Sequence, residues 1–159
     1  MITTIISDFS NVLLFPKNDT YSGSLNDLNK QLIKEKGEHY DFFYHFAFNH
    51  ELWNVYKNIN GKYPIYIFTT DTIQERTEVR TILDSVVADI FVANVHNLKK
   101  NETDAYLFIA HRLQKLPQTF LYIDDLAANV EAAKKAGMHA IQYINNDQII
   151  NYLKELQID

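Results

Sequence analysis

Apolar runs in this chain repeatedly stop at a residue able to bind a cation or a phosphate. Ile2 to Ser7 stops at Asp8, Tyr63 to Phe68 at Thr69 and Thr70, and Phe120 to Ile123 at Asp124 and Asp125. Lys100 follows a further apolar run, Val86 to Ala93. Brought together, these residues would supply three carboxylates, two hydroxyls and one amine. Crowded carboxylates repel one another and shift each other's pKa unless a cation sits between them. An all-oxygen donor set of this kind suits a hard cation, Mg²⁺ above all. Thr69, Thr70 and the backbone N–H groups after them are suited to phosphate oxygens. Lys100 is suited to neutralising a phosphate or pairing with Asp8. A carboxylate held beside a divalent cation can attack phosphorus as a covalent nucleophile.

Taken singly, each of these residues is an ordinary turn residue, helix cap or surface lysine. Their significance depends on elements that deliver them to one place. The β-branched run Ile2 to Ser7 reads as a buried strand, and Val12 to Phe15 as a short apolar continuation ended by Pro16. Ser24 to Lys36 has Leu25, Leu28, Leu32 and Ile33 on one helical face, with Ser24 as cap and Gly37 as stop. The aromatic stretch from Tyr40 to Phe48 is expected to start a second short helix and to be core, though it also offers a surface for self-association. Asn49 is expected to cap a helix carrying Leu52, Trp53, Tyr56 and Ile59.

From residue 63 onward strands and helices alternate. Strands are predicted at 63–68, 86–93, 120–123 and 139–143. Helices are predicted from Thr72 to Leu83, from Thr103 (as cap) to Leu113, from Ala127 to Ala136, and from Asn146 (as cap) to the end. This order implies βαβ units, a parallel sheet and three layers. In such sheets ligands bind beyond the carboxyl ends of the strands, where the candidate residues fall.

Composition narrows the classes. A chain of 159 residues with 47% hydrophobic content reads as one globular domain, 1–159. Its net charge is −5 and no Lys/Arg stripe is present, which argues against a nucleic-acid partner. No apolar run approaches the roughly 20 residues of a membrane span. Cysteine is absent, so disulfides and thiolate sites are excluded, and a cytoplasmic location is the simplest expectation. His39, His45 and His50 are too irregularly spaced for a metal site. A small phosphorylated molecule, or an exposed phosphate on a larger substrate, is the expected partner. Oligomeric state is open.

Four stretches together resemble the haloacid dehalogenase-like (HAD) hydrolase superfamily, most of whose members are phosphatases. Ile5-Ile6-Ser7-Asp8-Phe9-Ser10-Asn11-Val12-Leu13 is similar to the first family motif, Asp-x-Asp-Gly-Thr/Val-Leu after a strand. Ile65 to Thr70 resembles the second, a strand ending in Thr or Ser. Lys100 to Tyr106 keeps the Lys-to-Tyr spacing of the third without its prolines. Phe120 to Asp125, followed by Asn129-Val130-Glu131-Ala132-Ala133 and Gly137-Met138, resembles the fourth. The resemblance covers nearly the whole chain. It implies a three-layer α/β/α Rossmann-like core and an aspartyl-phosphate mechanism with Asp8 as nucleophile. It also implies Mg²⁺ held by Asp8, the Ser10 carbonyl and Asp125, with Asp124 as a direct or water-mediated partner. Thr69 and Lys100 would bind the transferred phosphoryl group.

Three departures qualify this. The family's second aspartate, which moves the leaving-group proton, is Ser10 here, and a serine hydroxyl is no acid or base near neutral pH. Positioned proton transfer is worth about 10² to 10⁴-fold. Asn11 stands where glycine is usual, so an altered loop is expected. The insert between the first two motifs, about residues 17–48, leaves room only for a truncated helical cap. Branches without the second aspartate include the metal-free dehalogenases, against which Asp124-Asp125 argues. The leading expectation is a Mg²⁺-dependent phosphatase weakened at Ser10. The alternative is a catalytically inactive binding or regulatory domain on the same fold.

Overall fold

The computed structural model describes residues 1–158. Five parallel strands form the central sheet: β1 (Thr4–Ser7), β4 (Ile65–Thr69), β5 (Val87–Val92), β6 (Phe120–Asp124) and β7 (His139–Gln142), in the order β5-β4-β1-β6-β7. A separate antiparallel ribbon joins β2 (Leu14–Pro16) to β3 (Phe46–Phe48). The α-helices are α1 (Leu25–Lys36), α2 (Phe42–His45), α3 (His50–Ile59), α4 (Thr77–Leu83), α5 (Thr103–Arg112), α6 (Ala127–Lys135) and α7 (Asn146–Glu155).

Side chains alternate across a strand, and this alternation builds the layers. Ile5, Ile65, Ile67, Leu121 and Ile123 face one way, onto apolar residues of α1, α3, α4 and α7. Ile6, Phe68, Phe91, Phe120 and Tyr122 face the other way, onto α5 and α6. Both faces are covered, which is why the strands read as continuous apolar runs rather than alternating ones.

Most element expectations hold within a residue or two. Ser24 caps α1, its side chain accepting from the Asp27 N–H at 3.3 Å. Four details differ. The expected helix 72–83 is interrupted: a 3₁₀ turn at Ile73–Glu75 precedes α4, and Arg76 between them is extended. The Arg76 guanidinium donates to the Glu38 carbonyl at 2.7 Å and lies 4.8 Å from the Tyr40 ring centre, and these distant partners outweigh local helix propensity. After Tyr40 only Phe42–His45 is helical, and the chain then enters β3. Glu102, not Thr103, occupies the cap position of α5. Asn145, not Asn146, caps α7, accepting from the Gln148 N–H at 2.9 Å. Asn146 instead turns to Asn49 and Glu51. The aromatic stretch is core as expected: Phe42, Phe46 and Phe48 are buried, and Tyr44 is its one largely exposed ring. Among the described residues no helix is long and apolar enough to cross a membrane.

Asn49 ties the ribbon, α3 and α7 together. Its Oδ1 accepts from the Leu52 N–H at 3.2 Å, capping α3, and its Nδ2 donates to the Val12 carbonyl and to Asn146 Oδ1, both at 2.8 Å. Asn49→Ala removes the cap and leaves the buried Val12 carbonyl without this donor. It should cost about 2–4 kcal/mol. The check is a lowered midpoint of urea unfolding at an unchanged slope.

Candidate active site

Parallel pairing places the ends of β1, β4 and β6 side by side. Ser7 lies in register with Ile67 on one side and Ile123 on the other. The Asp8 N–H then donates to the Ile123 carbonyl at 2.8 Å. In consequence Asp8, Asp124 and Asp125 each offer a carboxylate oxygen within 4.8 Å of the others. A chain of hydroxyls supports Asp8 from behind: Tyr56 reaches Ser7 Oγ at 3.0 Å, and Ser7 Oγ donates to the Asp8 carbonyl at 2.8 Å.

Lys100 joins this edge from the loop before α5. Its Nζ lies 2.8 Å from Asp8 Oδ1 and 2.9 Å from Asp124 Oδ2. All three side chains are withdrawn from water, with residue exposures of 7% for Lys100, 6% for Asp8 and 0% for Asp124. The Tyr106 hydroxyl donates to the Lys100 carbonyl at 2.6 Å, which gives the Lys-to-Tyr spacing a physical reason: one turn of α5 returns the ring beneath the lysine's own backbone.

Asp124 is the most enclosed of the carboxylates. Oδ1 accepts from the Leu126 N–H at 2.8 Å, and the Asn129 amide donates to both oxygens at 3.1 Å. Tyr122 donates a short hydrogen bond to Oδ2. Burial, and then the adjacent Asp124 charge, hold the Tyr122 phenol well above its ordinary range, so it stays a donor. Asp124 therefore anchors Lys100 from below. Asp125 is half-buried and opens onto the cavity above.

The turn after Asp8 is tight. The Phe9 N–H donates to Asp8 Oδ1 at 2.7 Å, and the Phe9 carbonyl accepts from Leu13 at 2.9 Å and Leu14 at 3.0 Å. Asn11 takes the left-handed conformation, φ 59°, and its N–H donates to the Leu14 carbonyl at 2.7 Å. Asparagine tolerates this region better than other non-glycine residues. The expected alteration of the loop is thus met by a residue that can adopt the glycine-like backbone. Ser10 Oγ, by contrast, is enclosed and has no hydrogen-bond partner.

Asp8, Ser10, Thr69, Thr70, Lys100 and Asp125 all line one cavity of about 190 Å³, and Asp124 lies outside its lining. Thr69 is buried and Thr70 exposed at the rim. The cavity also takes in residues that sequence reasoning gave no part in the chemistry: Asn11, Asn129, and Ser24-Leu25-Asn26 at the start of α1. Asn129 stood within a quoted motif, but its partner Asp124 becomes evident only once α6 folds back. Tyr122 reads from sequence as core and carries no polar signal. Asn26 Oδ1 accepts from the Ile73 N–H at 2.9 Å, and Lys30 pairs with Asp71 at 2.7 Å, so α1 is fastened beside the loop after β4.

Charge at the site does not balance. Three carboxylates meet one ammonium. Burial pushes Asp8 up from its ordinary 3.8 to about 7, with Lys100 opposing and Asp124 adding to the rise. Burial and the Asp124 charge also raise Asp125. On Lys100 burial works against the charge, but the paired carboxylates win and its pKa is raised. An oxygen-only donor set with surplus negative charge fits a hard divalent cation such as Mg²⁺.

No protein-family model and no curated protein sequence matches the chain. Solved structures do. It is similar to a predicted HAD-like family hydrolase from Porphyromonas gingivalis, with a TM-score of 0.70, 17% identity, and coverage of 100% of this chain and 99% of that one. It is similar to the HAD family enzyme bt-2542 from Bacteroides thetaiotaomicron, solved with magnesium and inorganic phosphate (TM-score 0.63, 10% identity, 89% and 94% covered). It is also similar to a 2-haloacid dehalogenase from Pseudomonas syringae pv. Tomato (TM-score 0.63, 12% identity, 90% and 86% covered). The fold of this chain is that of the HAD-like hydrolases. At these identities the likeness is one of fold, and it takes in both a structure solved with phosphate and one named a dehalogenase, so the chemistry must be argued from the site.

The raised Asp8 makes stability depend on pH. Between 3.8 and about 7 the folded protein keeps a proton that the unfolded chain has released, so the Asp8 contribution is present at low pH and lost as pH rises through about 7. In metal-free buffer, unfolding free energy should decline across this window, by at most about 1.4 kcal/mol per pH unit from this group. Denaturant titrations at several pH values should show that component missing from Asp8→Asn.

Proposed function

We propose that this chain is a Mg²⁺-dependent phosphohydrolase that works through an aspartyl-phosphate on Asp8. The observation that supports this most is the meeting of Asp8, Asp124 and Asp125 within 4.8 Å, with Lys100 bridging two of them. Asp8, Asp125 and the Ser10 carbonyl would hold the cation, with Asp124 directly or through water. A Mg²⁺ ion held by these residues would supply positive charge to offset that of the carboxylates and an incoming phosphoryl group.

The remaining work falls to this chain's own groups. Lys100 and Thr69 orient the phosphoryl group over Asp8. The hydrogen bond from the Phe9 N–H and the contact with Lys100 occupy Asp8 Oδ1, which leaves Oδ2 to attack. The start of α1, which lines the cavity, serves as a small cap over the site. Nothing in the lining takes over the proton transfers that a carboxyl at position 10 would perform, so hydrolysis is slow. That same feature favours one other reading, a phosphate- or metal-binding module without turnover.

Assay on a panel of phosphate esters with Mg²⁺ tests both readings. The wild type should show weak turnover that chelation abolishes, and Asp8→Asn should show none. Activity surviving in Asp8→Asn ends the nucleophile assignment. Ser10→Asp should raise ester hydrolysis by about 10²-fold or more. Brisk wild-type turnover would remove the binding-module reading.

A further inference from the structure

Moving a phosphoryl group from an alkyl ester to water takes two proton transfers. The departing alkoxide needs a proton, and the attacking water must give one up. The cavity offers very little for either task. Among the described residues that line it there is no histidine and no glutamate, and its only carboxylates are Asp8 and Asp125. Asp8 is the nucleophile in the reading above, and Asp125 is committed to the cation. Lys100 Nζ is already paired with two carboxylates, at 2.8 and 2.9 Å. Ser10 presents a hydroxyl with no partner to polarise it. The rest are amides, hydroxyls and leucines. The cavity is also small, at 190 Å³, below the roughly 300 to 1,000 Å³ of a typical ligand pocket.

From this lining we infer that the site accepts phosphoryl groups from small acyl phosphates, whose leaving group departs as a stable carboxylate, and retains the group on Asp8 as a long-lived aspartyl-phosphate. The inference rests on the reading of Asp8 as nucleophile and specifies its donor. In the first step Asp8 Oδ2 forms a bond to phosphorus while the bond from phosphorus to the bridging oxygen breaks. The bridging oxygen keeps the electron pair and leaves as the donor's carboxylate, so no proton moves. An alkyl ester in the same step would have to expel an unprotonated alkoxide. In the second step water forms a bond to phosphorus, Asp8 departs as a carboxylate, and one proton must leave the water. No side chain of the cavity receives that proton, and the adduct persists.

The full-length wild-type protein is mixed with Mg²⁺ and acetyl phosphate, or with glycerol phosphate as the alkyl donor, and then quenched. The mass of the intact chain and the released phosphate are followed in time, with Asp8→Asn as the background. Acetyl phosphate should load one phosphoryl group per chain in a burst followed by slow release. Glycerol phosphate should react at least about 10²-fold more slowly. Equal consumption of the two donors overturns the inference, as does steady turnover of acetyl phosphate without an adduct. Ser10→Asp separates the two levels of the reading. If it hydrolyses glycerol phosphate while the wild type takes no label from acetyl phosphate, Asp8 remains the nucleophile and the persistent adduct falls. If neither protein reacts with either donor, both fall. The wild-type measurements stand alone, so a Ser10→Asp chain that fails to fold leaves the test decisive.

Discussion

A lysine ammonium gripped by two carboxylates, all three shut away from water, is the constraint around which this molecule is arranged. Taking each such ion out of water costs several kcal/mol, and mutual attraction offsets this only when geometry is good and the remaining lone pairs find donors. The surrounding structure supplies those donors one by one. The Phe9 N–H serves Asp8, while Asn129, Tyr122 and the Leu126 N–H serve Asp124. Tyr106 holds the backbone of Lys100. These groups come from β6, α5, α6 and the turn after β1, so the ion cluster and the register of the sheet specify each other.

The cluster is also incomplete as an electrostatic object. One ammonium meets three carboxylates, and burial penalises the charge on Asp8 and Asp125. A core built for stability alone would fill this volume with apolar side chains, which is often neutral or favourable relative to buried ions. The surplus charge is concentrated at the cavity, on Asp8 and Asp125, while Asp124, hydrogen-bonded on both oxygens, lies beneath. That distribution suits a cation site: Asp8 and Asp124 fix the lysine, and Asp8 and Asp125 still face the cavity.

Much of this could be read from the chain because buried parallel strands announce themselves as apolar runs, and their ends fall where polarity resumes. Asp8, Thr69, Asp124 and Asp125 were visible on that ground. What was not visible has a common cause, which is dependence on partners distant in sequence. The β2–β3 ribbon is three residues a side, too short for any period to register, and is held by pairing of Leu14 with Phe48. Arg76 breaks a plausible helix because Glu38 and Tyr40 attract it. Of the adjacent Asn145 and Asn146, the second is engaged by the distant Asn49 and Glu51, and the first caps α7. Tyr122 looks like one more core aromatic until Asp124 is seen against its hydroxyl.

The two substitutions in the first motif have different physical consequences. Glycine at position 11 would serve the backbone, and asparagine can serve it too, so φ 59° is reached and the turn closes on Leu14. A carboxyl at position 10 would serve chemistry, and serine has no equivalent proton to give or accept. The loop is therefore intact where it shapes the cavity and altered where it would move protons. The left-handed turn and the desolvated ion cluster both cost free energy, which the hydrogen bonds and ion pairs around them offset. This combination is what the proposed reading needs: a formed cavity for a phosphoryl group, and no carboxyl at position 10 to speed its release.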